Sequence, residues 1–368
     1  MNLPGMAAPL DVSGAARGPK GTSMGEKFTV RFEPVDLEIE VDEDETVLHA
    51  AFRQGLMLMH GCKEGQCSSC KSFLLDGEVD LERYSTFALP DFEEAEGYTL
   101  LCRAHPMSDL EVELLNFDEE ILRSGVALQT ARARVEAVER LTHDIRLLRV
   151  SLVDPERLTF QAGQYVDIKI PGADEHRSFS MANTPSTAHE LEFMIKVYPD
   201  GHFSGLLDSG EIKVGDELEL TGPYGVFTLR ATSTRRMLFI GGGAGMAPIL
   251  SLLRSLEESG NGRPAVYYYG ARRPEDLFHV EQLEGLAESL PDFRFVPALS
   301  EIEADGNGWS GETGLITDVV DRLEGDVSEV EAYVCGPPPM VEAAIALLER
   351  RGVPESQIHF DKFTTTEQ

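Results

Sequence analysis

The chain offers no run of about 18 apolar residues, so nothing in it predicts a membrane-spanning helix. Basic residues are scarce: 32 Lys and Arg face 64 Asp and Glu. The resulting formal charge of −32 argues against nucleic acid and anionic lipid surfaces as partners, because both need basic patches. Cysteine is scarce as well. Five cysteines in 368 residues, an odd number with no export signal, argue against a disulfide framework and turn the thiols towards metal or redox chemistry. Residues 1–25 lack the apolar core of a signal peptide and any strong periodicity. They predict a disordered tail, with Met24 as a candidate start and the cytoplasm as the expected compartment. Oxygen-activating motifs are missing too. None of the nine histidines has a Glu three residues before it, and neither H-E-x-x-H nor C-x-H occurs, so any oxygenase centre is expected on another chain.

What the chain does have is three successive textures. Between Glu26 and Asp118, 22 acidic residues face 7 basic ones, an acid-rich quarter that either steers a basic protein partner or serves as a solubilising surface. KFTVRFEPVDLEIEV, residues 27–41, alternates with period two on both sides of Glu33-Pro34 and predicts a hairpin. Thr46 is placed to cap a helix over VLHAAFRQG that stops at Gly55, and the strands KSFLLDGEV and YTLLC follow. From residue 131, ARARVEAVERL, IRLLRVSL, QYVDIKI, LEFMIKVY and DELELTG alternate between Gly, Pro and Asp turns, the pattern of an antiparallel barrel. After Arg235 the apolar strands MLFIGGG, AVYYYGAR, FRFVPAL and EAYVCG alternate with helical segments and predict a parallel α/β domain. The expected organisation is a tail over 1–25, domains over 26–118, 131–231 and 232–368, and a linker over 119–130.

HGCKEGQCSSCKSF, residues 60–73, holds three of the five cysteines. Cys62, Cys67 and Cys70, with Cys102 at the end of YTLLC, have the C-x4-C-x2-C…C spacing of a plant-type [2Fe–2S] site. Gly61, Gly65, Ser68 and Ser69 let the backbone close around such a cluster and aim amide groups at its sulfurs. A four-cysteine zinc site competes, but it usually shows two C-x2-C pairs and here there is one. His60 and His105 lie near the ligands in sequence. With four thiolates filling the site, both are expected to be surface histidines.

On these residues the first domain resembles a plant-type ferredoxin and the remainder a ferredoxin–NAD(P)H reductase module. Together they resemble the reductase components of bacterial multicomponent oxygenases over nearly the whole chain. The resemblance implies an α+β and α/β multidomain fold: a β-grasp [2Fe–2S] ferredoxin, an antiparallel β-barrel that binds FAD, and a doubly wound parallel α/β domain that binds NAD. RSFS, residues 177–180, matches the family's R-x-[YF]-S motif. By that match Arg177 holds the FAD pyrophosphate, Ser178 and Phe179 lie along the flavin nucleotide, and Ser180 lies near flavin N5. In GHFSG, Gly201, Phe203 and Ser204 open a short helix facing the same pyrophosphate, with His202 a bystander. GGGAGMAP places Gly241, Gly242, Gly243, Ala244 and Gly245 between a strand and a helix, where glycines let the backbone approach a diphosphate. No Lys-Ser/Thr pair follows, so this is not a phosphate loop of the Walker kind. CGPPPM resembles the family's C-G-P-P motif, which puts Cys335, Gly336 and Pro337 beside the nicotinamide. Ser180 and Cys335 are thereby the implied catalytic residues, although Cys335 also reads as an inert buried thiol. Phe363 is the implied aromatic against the flavin, with an ordinary core phenylalanine as the competing reading.

NADP-using relatives commonly carry an arginine after the serine that ends the strand corresponding to PALSE. Here Glu301 follows Ser300 and would repel a 2′-phosphate, so NADH is expected, with Arg272 and Arg273 pulling the other way. NADH gives two electrons at once, the cluster takes one, and a flavin can divide the pair. The expected path is NADH, FAD, [2Fe–2S], then an external acceptor. The implied protein is a monomeric, NADH-dependent reductase serving the hydroxylase of a soluble di-iron monooxygenase of the propane, methane or phenol kind, with the hydroxylase docking on the acidic ferredoxin domain. Alternatives are the reductase of a Rieske aromatic dioxygenase, a reductase of deoxysugar synthesis, and a non-catalytic iron–sulfur carrier or scaffold. The intact RSFS, GGGAG and CGPPPM motifs speak against the last.

Overall fold

A computed structural model describes residues 25–123, 125–302 and 308–363; the tail expected over 1–25 lies outside them except for Gly25. The predicted hairpin forms from Lys27–Glu33 and Leu37–Asp42, and Lys71–Asp76, Tyr98–Leu100 and Leu110–Leu114 complete a five-stranded sheet. Leu110–Leu114 sits at its centre, parallel to the first strand and antiparallel to Lys71–Asp76, which is the mixed pattern of a β-grasp. Alternation points Val30, Phe32, Ile39, Val41 and Val112 to one buried face, and these pack in one core with Val47, Leu48, Ala51 and Phe52 of the helix Val47–Arg53. The Thr46 hydroxyl accepts from the His49 N–H at 3.3 Å, the cap the sequence predicts. The strand expected through Val79 breaks at Gly77, where φ is +97° and a Cβ would lie 2.3 Å from the Asp109 carbonyl. Its second part, Val79–Leu81, pairs instead with Ala104–Pro106.

The second domain is a barrel of six antiparallel strands, Gln129–Arg140, Ile145–Asp154, Tyr165–Lys169, His176–Ser180, Glu190–Lys196 and Glu217–Tyr224, in the spatial order fourth, third, sixth, first, second, fifth. A bridge from Met181 to Phe193 draws its two edges together. The expected linker departs from a free connection: Glu119–Arg123 is a helix and Gln129 already begins the barrel. Arg230 Nε donates to Asp118 at 2.9 Å and the Thr232 hydroxyl donates to Glu120 at 2.7 Å, so this segment is tied to the far end of the barrel.

In the third domain six parallel strands, Arg236–Gly242, Ala265–Ala271, Phe293–Leu299, Glu312–Thr313, Val330–Gly336 and Ile358–Lys362, lie in the order fourth, third, second, first, fifth, sixth. The order reverses between Arg236–Gly242 and Val330–Gly336. The crevice at the carboxyl ends of these two strands is where such sheets receive ligands. The domains are not separate globules. Ile145, Leu147, Met194 and Phe227 of the barrel share a core with Met246, Leu250, Leu253 and Tyr267 across the boundary expected near residue 231. Tyr224 of the barrel is buried in the core of the first domain. Among the described residues no helix is long and apolar enough to cross a membrane.

Candidate redox centre

The four predicted ligands converge from the 60–70 loop and the turn after Tyr98–Leu100. Their thiols meet as two contacting pairs, Cys62 with Cys67 and Cys70 with Cys102. Among the described residues the only trio of metal-capable groups gathered within 4.8 Å is His143, Asp144 and Asp276, so no three of these cysteines share one neighbourhood of that size. A single tetrahedral zinc with Zn–S bonds of about 2.3 Å would hold all four sulfurs about 3.8 Å apart. Two irons, each needing its own thiol pair, suit this arrangement. Backbone amides point inward as expected: Cys62 Sγ accepts from Gln66 N–H at 3.1 Å and Cys67 Sγ from Cys62 N–H at 3.3 Å. At Gly61 a Cβ would lie 2.9 Å from Cys67 Sγ, so a side chain there would invade the ligand set.

His60 is not a surface histidine. It is 6 % exposed, packs on Phe52 at 4.6 Å, gives its Nδ1 proton to the Leu58 carbonyl at 2.8 Å and accepts the Gly225 N–H on Nε2 at 3.2 Å. Burial under the barrel lowers its pKa to about 4, so it stays neutral. His105 is half-buried and meets Glu82 at 3.0 Å.

The RSFS strand lies at the barrel edge in register with Tyr165–Lys169, Ser178 opposite Asp167 and Ser180 opposite Tyr165. Arg177 is partly exposed and donates to Glu175 at 2.9 Å, and His202 Nδ1 lies 3.6 Å from the same carboxylate oxygen. His202 begins the helix His202–Ser209, which has no side-chain cap, so its first N–H groups are free to meet an anion. Glu175 thus bridges the Arg177 guanidinium and the His202 ring, and an anion taking this place would have to displace it. Ser204 instead braces the helix: its hydroxyl accepts from the Tyr198 N–H at 3.3 Å, and a Cβ on Gly201 would collide with it at 2.2 Å. Phe203 is buried in the barrel core against Phe179, ring centroids 5.0 Å apart. A cleft of about 1120 Å³ joins these groups to the cysteines, lined by Cys62, Cys102, Arg177, Ser178, His202 and Tyr224 among others.

At the switch point Gly241 is in register with Cys335. A Cβ on Gly245 would meet the Cys335 carbonyl at 2.3 Å, and one on Gly242 the Met340 sulfur at 2.8 Å, so the GGGAG and CGPPPM turns are locked together. Gly243, at φ +56°, faces open space, Ala244 is buried, and the helix Met246–Ser259 starts without a side-chain cap. This is a cradle that fits a diphosphate. Pro337 leads into the helix Pro338–Arg350, and the Phe363 N–H donates to the Gly336 carbonyl at 3.1 Å. Cys335 is fully buried, and burial pushes its thiol well above the ordinary value, so it is a neutral thiol. Asp361, in register with Cys335, is a residue the motifs do not announce; burial raises its carboxyl to about 6. Arg273 pairs with Glu301 at 3.0 Å and Arg272 with Asp276 at 3.3 Å, so each of these exposed cations already faces a carboxylate. The sequence reading also misses Lys63, Asp167, Tyr165 and Tyr224. The one available signal was that Lys63 is the sole basic residue between Cys62 and Cys70.

Fold and site together define a three-domain flavin and iron–sulfur electron-transfer reductase. The chain matches the family models of the 2Fe-2S iron-sulfur cluster binding domain over 30–107, the oxidoreductase FAD-binding domain over 132–229 and the oxidoreductase NAD-binding domain over 239–345. It is 54% identical to the propane 2-monooxygenase reductase component of Mycolicibacterium goodii, over 93% of this chain and 99% of that one. It is 38% identical to the phenol 2-monooxygenase reductase component of Pseudomonas sp., over 92% and 95%. The crystal structure of Amycolatopsis cytochrome P450 reductase matches with a TM-score of 0.83 at 32% identity, covering 92% of this chain and 100% of that one. The chain belongs to the reductase components of multicomponent monooxygenases, and it passes electrons from NADH through FAD and a [2Fe–2S] cluster to a separate hydroxylase.

Proposed function

We propose that the acceptor is the di-iron hydroxylase of a propane-oxidising monooxygenase. The observation that carries this reading is the 54% identity, spanning 99% of its length, to a propane 2-monooxygenase reductase component, against 38% to the phenol counterpart. When bound, FAD takes the hydride and releases its electrons singly, and the cluster carries one at a time. Cys62 and Cys67 hold one iron, Cys70 and Cys102 the other, as their pairing favours. Arg177 and the helix start at Gly201–Ser204 bind the FAD pyrophosphate; Ser178, Phe179 and Ser180 line the flavin, and Phe363 covers it. The turn Gly241–Gly245 with Cys335, Gly336 and Pro337 receives NADH. Because Cys335 is a neutral buried thiol, it acts by shape and packing at the nicotinamide rather than as a nucleophile. The functional units run 26–118, 129–231 and 232–368, the chain works as a monomer in the cytoplasm, and the hydroxylase docks on the acidic face of the first domain, where 22 acids face 7 bases.

The test is a reconstituted assay. Purified reductase and NADH are combined with the hydroxylase components of a propane monooxygenase, or with a Rieske dioxygenase. Propanol formed with the first and no turnover of the second is expected; the reverse pattern rejects the di-iron assignment.

A further inference from the structure

Lys63 sits inside the ligand loop, one residue after Cys62, in a left-handed conformation at φ +59° that a lysine adopts only when its surroundings hold it there. Its side chain crosses to the barrel. The ammonium lies 2.6 Å from Asp167 Oδ2, 3.6 Å above the Tyr224 ring and 4.9 Å from the Tyr165 ring. Ammonium and carboxylate are both mostly buried, at 20 % and 18 % exposure. The other oxygen of Asp167 accepts the Ser178 hydroxyl at 2.6 Å. Tyr165 and Asp167 are the residues in register with Ser180 and Ser178, so the lysine lands on the strand pair that carries RSFS. A second tie flanks Cys62 on its other side, the hydrogen bond from Gly225 N–H to His60.

We propose that Lys63 is a positioning residue for internal electron transfer, docking the cluster loop on the flavin-binding barrel through Asp167, Tyr165 and Tyr224. It sets the fraction of molecules in which the cluster faces the flavin. The proposal rests on the electron path and on RSFS as the flavin strand, as given above. Lys63 exchanges neither electron nor proton; the two electrons of one hydride cross one at a time while the loop is docked. A leucine or methionine would fill the space over two tyrosines without the desolvation that an ion pair imposes, so packing alone does not explain the charge. An ammonium is strongly hydrated, is held here by a carboxylate and two ring faces, and returns to water at little cost when the loop leaves. That suits a contact made and broken while the same cluster serves an outside acceptor.

The test uses the FAD- and cluster-loaded full chain with K63M, K63R, D167N and K63M/D167N. Anaerobic stopped flow with NADH follows flavin bleaching and cluster bleaching separately, and amide hydrogen exchange at Gly225 reports docking without any turnover. Because observed transfer scales with the docked fraction, K63M is expected to slow cluster bleaching at least about tenfold while flavin bleaching changes less than about twofold. Gly225 exchange should accelerate by a similar factor, K63R should recover part of both, and the double variant should be no slower than K63M. D167N breaks the same contact from outside the ligand loop, so it answers the question even where K63M loads iron poorly. Cluster bleaching and Gly225 exchange at wild-type rates in K63M and D167N overturn the clamp. Failure of NADH to bleach the wild-type flavin would instead overturn the electron path beneath it.

Discussion

Two glycines of the GGGAG turn should fail in opposite ways when given a methyl group. At Gly245 the added Cβ would lie 2.3 Å from the Cys335 carbonyl oxygen, where ordinary contact begins near 3.4 Å, so strand or turn must move by about 1 Å. The obstacle is backbone of a central buried strand, which cannot rotate aside. Overpacking of this kind costs about 1–3 kcal/mol. A shift of about 1 Å at the reacting geometry can also cost about 100-fold in rate. Gly243 has no heavy atom within 4 Å of its Cβ position, and its penalty is the left-handed backbone at φ +56°, about 1–2 kcal/mol for an L-residue. Its methyl would project into the open space proposed for the dinucleotide. The assay is NADH–ferricyanide reduction by the FAD-loaded protein, with thermal melting alongside. Gly245→Ala should lower both melting temperature and kcat; Gly243→Ala should lower the melting temperature less and raise the KM for NADH at least about tenfold, since the backbone can no longer approach a diphosphate. A Gly243→Ala protein with wild-type KM would show that the turn does not receive NADH, and a Gly245→Ala protein with unchanged melting and rate would refute the close packing.

Cys102→Ala removes one thiol of the Cys70–Cys102 pair and leaves no donor in its place, so the iron–sulfur absorption and EPR signal should disappear while NADH still bleaches the flavin; retained cluster bands would reject Cys102 as a ligand. Glu331 is buried, a condition that by itself raises its pKa, yet the His359 ring 3.7 Å away and the hydrogen bond from the Arg263 guanidinium prevail and hold it at about 2. A carboxyl depressed in the folded state contributes stability that is full above about pH 4.5 and is lost as pH falls towards 2. The melting-temperature gap between wild type and Glu331→Gln should therefore be widest near neutrality and close in acid, and a gap independent of pH would sink that assignment.

What the chain made legible was whatever repeats or spaces itself locally. Period-two alternation gave the hairpin and the barrel, cysteine spacing gave the gathering of the four thiols, and glycine runs at strand ends gave the turns. The strand through Val79 failed at a local signal, the Asp76-Gly77 pair, outweighed by the apolar run around it. The contacts between domains were not legible. His60 reads as a surface histidine, because four thiolates already fill the ligand set, until Gly225, 165 positions later, closes over it. Lys63 finds Asp167 across 104 positions, and the helix Glu119–Arg123 is held in place by Arg230 and Thr232, more than 100 positions away. No periodicity encodes such pairings, because each depends on how two finished domains meet.

The same pairings bear on how salt acts on the two electron transfers. Residues 26–118 carry 22 acidic against 7 basic side chains and residues 131–231 carry 16 against 11, so both domains are net acidic and repel each other at long range. The attraction is short-ranged: the buried Lys63–Asp167 pair, the Arg230–Asp118 pair and the apolar contact at Tyr224. Salt screens charges separated by more than about 10 Å at 0.1 M and leaves buried pairs largely intact. Screening should therefore relieve the repulsion more than it weakens the clamp. Flavin-to-cluster transfer should hold steady or quicken between about 50 and 500 mM NaCl, whereas transfer from cluster to hydroxylase should slow if the hydroxylase docks, as proposed, on the exposed acids of the first domain. Stopped flow with and without the hydroxylase separates the two phases. A parallel fall of both would mean that the internal contact is held by exposed charges, which neither the burial of Lys63 nor the aromatic faces around it would then explain.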